Sequence, residues 1–228
     1  MWNRQQVKEQ AKIIMKRNYW KMFVVTLIAG ILSGDYVTVI QEIQNFVPDV
    51  ILPSVFPSIL SFLSMESIVG LLFSIFIGFA IRVGEQYYFI KNHYGNPALN
   101  EIFQGFKGNY LNVVKIMLIM ELKIMLWLLL LVVPGIIKAY EYSMIPYLLA
   151  ENPNITTDEA FSLSKQMTTG QKMDLFVLDL SFLGWIILGL ICCGIGILFV
   201  LPYPEATNAE VYLILKESVK KDERVTDF

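Results

Sequence analysis

Two stretches decide how the chain is read: VVKIMLIMELKIMLWLLLLVV at 113–133 and LFVLDLSFLGWIILGLICCGIGILFV at 175–200. Each matches the roughly 20 mostly apolar residues with which an α-helix crosses about 30 Å of hydrocarbon. The alternating ten-residue segments of a membrane barrel are missing from the sequence. The 228 residues are 55% hydrophobic and 17% charged, and the apolar ones are collected into such blocks. An all-α integral membrane protein is the reading that follows.

Lysine and arginine sort the segments between the blocks. Arg4, Lys8, Lys12, Lys16, Arg17 and Lys21 crowd the N-terminus, whereas 35–81 holds neither residue type. By the positive-inside rule the N-terminus is cytoplasmic and that segment is mostly outside. The basic start followed by 22–32 has the outline of a secretory signal, but no small-residue cleavage site follows, so it reads as a retained first helix. Spans are expected at 20–34, 59–83, 111–133, 136–150, 175–190 and 197–215, with Pro134-Gly135 and the Gly-Cys stretch at 192–196 as tight turns. Lys216, Lys220, Lys221 and Arg224 bring the C-terminus back inside.

The fold class predicted is therefore six transmembrane helices arranged as three helical hairpins, each preceded by a cytoplasmic amphipathic helix, N-in and C-in. Residues 1–228 form one membrane domain: a first hairpin at 1–95 with an outer loop at 35–57, a second at 96–151, a third at 152–217, and a cytoplasmic tail at 218–228. The outer loop carries Pro48, Pro53 and Pro57 among apolar residues and reads as an interfacial cap. Thr156 and Glu159 have the spacing of a capping box and open a short helix to about 167.

A repeat runs through the pattern. Glu121 precedes Trp127 as Asp179 precedes Trp185, and Ile145-Pro146-Tyr147 recurs as Leu201-Pro202-Tyr203. Upstream, Asn96-Pro97 leads to Glu101 and Phe103 as Asn152-Pro153 leads to Glu159 and Phe161. The second and third hairpins thus read as one duplicated unit. Lys16-Arg17-Asn18-Tyr19 echoes Lys107-Gly108-Asn109-Tyr110, which makes the first hairpin a diverged third copy. An even number of crossings per unit keeps the copies in one orientation, unlike an inverted repeat.

Chemistry is sparse. No phosphate loop, dinucleotide fingerprint or Cys/His ligand set is written in the sequence, so no metal, organic cofactor or enzymatic activity is expected. His93 has no nucleophile motif beside it and reads as a solvated loop histidine. The adjacent Cys192 and Cys193 read as small packing residues. A net charge of −2, with the cations spread by topology, argues against nucleic acid.

What remains is a candidate intramembrane polar network of Glu121, Lys123, Lys138, Glu141 and Asp179. Ionisable groups in apolar blocks are costly and need partners. Glu121 and Lys123 stand two residues apart and so point about 200° from one another on a helix, which assigns their partners to other helices. Fixing of helix register and handling of a substrate or proton both stay open for these groups. Arg4, Lys8, Lys12 and Lys16 recur at four-residue steps, giving a basic stripe with Val7, Ala11, Ile14 and Met15 on another face. These four cations are candidate contacts to lipid headgroups.

From Pro134-Gly135-Ile136-Ile137 through Tyr140, then Met144 to Leu149, Ala160 to Met167, Gly170, and Leu201-Pro202-Tyr203 to Tyr212, the chain resembles the DUF975 family of bacterial multi-pass membrane proteins. Lys8, Ala11, Lys12 and Trp20 ahead of the first block are similar too. The function of that family is undefined, and it looks distantly similar to membrane domains that accompany glycerophosphodiester phosphodiesterases. The resemblance implies a bacterial cytoplasmic-membrane location and supplies no catalytic residue.

The expected function is non-enzymatic: binding of a lipid or an amphipathic molecule between the hairpins, in envelope maintenance or protection against membrane-active peptides. A small transporter or transporter subunit, with the same acids lining its path, is the first alternative. A scaffold recruiting protein partners through its basic ends is the second. Expected partners are membrane lipids and a membrane-protein or peptide companion.

Overall fold

The structure, a computed structural model, describes residues 2–33, 68–191 and 195–226. The outer loop at 35–57, the start of the second expected span, and the Cys192-Cys193 turn lie outside the described residues.

The described chain is helical. α1 runs Arg4–Ser33, with a kink at Asn18 (φ −134°, ψ 24°). α2 (Ile68–Phe73) passes through a π-helical turn at Ser74–Gly78 into α3 (Phe79–Tyr94). A 3-10 helix at Leu99–Phe106 leads to α4 (Tyr110–Leu130), α5 (Val132–Tyr142) and α6 (Ile145–Glu151). α7 (Thr157–Thr168), α8 (Lys172–Ile191), α9 (Ile195–Val200) and α10 (Pro202–Thr226) complete the order.

Local chemistry explains the breaks. The sequence places a turn at Pro134-Gly135, but the chain instead turns extended at Leu131 (φ −158°, ψ 133°), and Pro134 falls in the first turn of α5. Proline is tolerated there because that N–H has no helical partner to lose. The expected fourth span is split at Ser143, ahead of Pro146 in the first turn of α6. Pro202 opens α10 in the same manner. Thr156 is the N-cap of α7, its Oγ1 accepting from the Glu159 amide at 3.3 Å.

These breaks and the charges between them overturn the six-span reading. Among the described residues no helix is long and apolar enough to cross a membrane. α4 is interrupted by Lys115, Glu121 and Lys123, and α8 carries Lys172, Asp174 and Asp179. Each charge held at mid-bilayer costs about 2.5–3.5 kcal/mol. Among the described residues the apolar part of α1 beyond its kink, from Met22 to Ser33, covers about 18 Å at 1.5 Å per residue, against about 30 Å of hydrocarbon. α5 has 11 residues, α6 has 7 and α9 has 6. The expectations of six transmembrane helices, an N-in and C-in topology, and a multi-pass location in the bacterial cytoplasmic membrane are corrected accordingly.

The three units expected from the sequence pack in a circuit. α3 of the first unit lies against α4 of the second, and α5 of the second against α8 of the third. α9 and α10 of the third unit return to α1 of the first, where Phe199 stacks on Phe23 at 5.0 Å. α3 sits centrally, contacting α1, α6, α10 and the 3-10 helix, and buries Ile81, Val83, Tyr88 and Phe89. Its crossing with the 3-10 helix is a close backbone approach. A Cβ on Gly84 would stand 1.7 Å from the Ile102 carbonyl oxygen, and one on Gly105 would stand 1.9 Å from that of Ala80.

Asn18 and Asn109, the paired asparagines of the echo, both mark the entry to an apolar helix. Asn109 precedes α4, following Gly108 at φ +73°. Asn18 sits at the kink of α1, its Nδ2 donating to Asn92 Oδ1 at 2.7 Å in a buried contact. Arg17 beside it donates to the backbone oxygens of Asn92 and Gly95, which ties the end of α3 to the kink.

Candidate functional site

The five ionisable residues of the apolar blocks do not meet at one point. They divide among seams of the circuit, and each finds its partner on another element or one turn away.

At the first seam Arg82 Nη1, on α3, donates to Glu121 Oε1, on α4, at 3.1 Å. Both side chains stay partly open, at 37% and 40% exposure. They border a cavity of about 400 Å³, within the range of a small-molecule pocket. Its walls are mainly apolar: Ile75, Gly78 and Phe79 from the first unit, and Leu118, Leu122 and Met125 from α4. Ser74, Ile75 and Gly78 of the π-helical turn line it. One extra residue in the turn re-aims the side chains of α3 relative to α2, a device common at binding sites. Gly78 lets this turn approach Ser33, a further wall residue, since its Cβ would stand 3.1 Å from Ser33 Cα.

At the second seam Tyr140 donates its hydroxyl hydrogen to Asp179 Oδ2 at 2.9 Å. One residue on, Glu141 is buried, with Lys138 donating to Oε1 at 2.7 Å and Lys172 to Oε2 at 2.5 Å. Burial pushes the Glu141 carboxyl up, but the hydrogen bonds and charges of the two lysines outweigh it and hold the group below the usual carboxylate range. The backbone oxygen of Glu141 accepts from Ser164 Oγ at 2.7 Å, which anchors α7 as well. Lys123 takes no part in this cluster: its ammonium lies 3.7 Å from the ring centroid of Phe161 on α7.

The third seam holds part of the basic stripe. Lys8 is half-buried, donates to Ser181 Oγ, and lies 4.4 Å from the Phe182 ring centroid. Lys12 is exposed, with its ammonium 5.9 Å from the Tyr203 ring centroid, and Arg4 and Lys16 are exposed too. Val7, Ala11 and Ile14 on the opposite face are buried in the protein core.

Sequence reasoning missed Arg82 and Lys172. A signal for the first was present: Arg82 and Glu85 precede Asn96-Pro97 at the spacing with which Lys138 and Glu141 precede Asn152-Pro153. It also missed His93, which is the last-turn residue of α3 and not a loop residue. His93 Nδ1 lies 2.7 and 2.8 Å from the carboxylate oxygens of buried Glu210 on α10. A carboxylate only accepts, so Nδ1 carries the hydrogen. Among the described residues no group of His, Cys, Asp and Glu is assembled that could hold a metal ion.

Comparison with curated proteins and with solved structures finds no match. Residues 125–219, from the apolar end of α4 through most of α10, match the model of the family described as protein of unknown function (DUF975), consistent with the resemblance read from the sequence.

Proposed function

We propose that this protein binds a lipid or similar amphipathic molecule, without reacting it, in the cavity between its first and second units. The observation that supports this is an apolar cavity of about 400 Å³ bordered by one ion pair, Arg82–Glu121. Apolar walls favour a hydrocarbon chain by about 25 cal/mol per Å² covered. The pair offers a cation and an anion side by side, which suits a headgroup bearing both signs. One turn beyond the wall residues Leu122 and Met125 on α4, Leu126 and Leu129 are 63% and 81% exposed. A chain longer than the cavity can lie along them.

The test is calorimetric titration of the full chain with monomeric lysophosphatidylcholine, a single-chain amphiphile with such a headgroup. Saturable binding is expected, weakened about tenfold or more by Glu121→Gln and blocked by Leu118→Trp, which fills the cavity. Absence of binding, or binding indifferent to both changes, overturns the reading.

A further inference from the structure

We infer that the seam between the third unit and the first holds a second site, which takes a single-chain amphiphile with an anionic head. A cleft of about 240 Å³ opens there, lined by Lys12 and Met15 of α1, Trp185 of α8, Phe199 and Val200 of α9, and Tyr203 of α10. It is separate from the Arg82–Glu121 cavity in every lining residue.

Charge sets the sign of the head. Arg4, Lys8, Lys12 and Lys16 follow one another along α1, and among the described residues none of them is in an ion pair. Burial, and then the neighbouring charges of Lys12 and Arg4, hold the Lys8 ammonium below the usual lysine range. An anion at the rim relieves that repulsion. Lys12 is the cation that lines the cleft, and its exposed side chain is free to swing onto a carboxylate or sulfate.

Shape and surface set the tail. The cleft is smaller than the roughly 300–1,000 Å³ of a pocket that encloses a whole drug-sized ligand, so it suits one hydrocarbon chain and not two. Its aromatic walls are wet when empty, Trp185 at 48% and Phe199 at 45% exposure, and covering them releases that water. The resulting ligand has its chain along Trp185, Phe199 and Val200 and its head on Lys12.

Trp185 is a built-in reporter. An ω-bromo fatty acid and the ω-bromo alcohol of equal length, each below its micelle concentration, are titrated into the full chain while tryptophan emission is followed. The acid is expected to quench saturably and to bind about tenfold tighter than the alcohol. Trp185→Phe removes most of the quenching, Lys12→Gln brings the acid down to the affinity of the alcohol, and Lys12→Arg restores it. Lys12 is exposed, so these variants keep the fold, which circular dichroism checks. Glu121→Gln leaves this titration unchanged, whatever becomes of the first cavity. Equal affinity for acid and alcohol, indifference to Lys12→Gln, or full quenching in Trp185→Phe would each overturn the assignment.

Discussion

Lys172 Nζ reaches Glu141 Oε2 at 2.5 Å across 31 residues of chain, fastening the start of α8 to the end of α5. With Lys138 on the other oxygen, Glu141 is the buried carboxylate on which the second and third units are joined. Removing its charge leaves two lysines facing an amide. Glu141→Gln is expected to lower stability at neutral pH by about 1–3 kcal/mol, less than for a fully buried pair because both lysines still touch water.

The same pair has a pH signature. The folded Glu141 carboxyl is held below its ordinary value near 4.5, so its contribution is complete above that value. It is lost as pH falls through the lower, folded-state value. Melting temperatures of the native chain should therefore drop through that acid window, and the Glu141→Gln variant should drop less steeply over it. Parallel curves would show that Glu141 is not held by its lysines.

Gly84 and Gly105 face backbone and not flexible side chains, so neither neighbour can yield locally. Either glycine changed to alanine should cost about 3 kcal/mol or more by forcing α3 and the 3-10 helix apart. Gly184 is the control: it lies in α8, and a Cβ added there would meet nothing within 4 Å. Gly184→Ala should raise stability by about 0.5–1 kcal/mol. Chemical denaturation of the three variants separates the two behaviours.

Helix caps and entries were legible because they are local. Thr156 caps a helix, and Asn18 and Asn109 mark helix entries, within a few residues of the signals that announce them, whereas Pro146 and Pro202, read as lying inside the spans 136–150 and 197–215, instead open helices. The span reading failed because an apolar block at 113–133 has one composition whether it crosses hydrocarbon or ends as an exposed helix tip. Lys115, Glu121 and Lys123 carry the difference. Site partners were illegible for another reason: Arg82 and Glu121 are 39 residues apart and Lys8 and Ser181 are 173 apart, and no periodicity spans such separations.

His93 illustrates how a bland residue acquires a role from its partner. Burial pushes the Glu210 carboxyl up, and the hydrogen bond and charge of His93 oppose that. His93→Ala leaves the carboxylate buried beside no donor from this residue and should cost about 1–3 kcal/mol. Glu210→Gln in the same chain should recover part of that loss, because the amide no longer has to be buried as a charge. If the costs of His93→Ala and Glu210→Gln, each made alone, add up to that of the double variant in urea denaturation, the pair is not coupled.

The Arg82–Glu121 pair separates stability from binding. Both side chains are more than a third exposed, and exposed ion pairs couple by only about 0.2–1 kcal/mol. A double-mutant cycle over Arg82→Gln and Glu121→Gln should thus show small coupling in urea denaturation. The same cycle read by lysophosphatidylcholine affinity should show a larger one, since a bound headgroup excludes water from the pair and strengthens both contacts. Large coupling in stability with none in affinity would assign the pair to holding α3 against α4, and the cavity would then lose its polar recognition element.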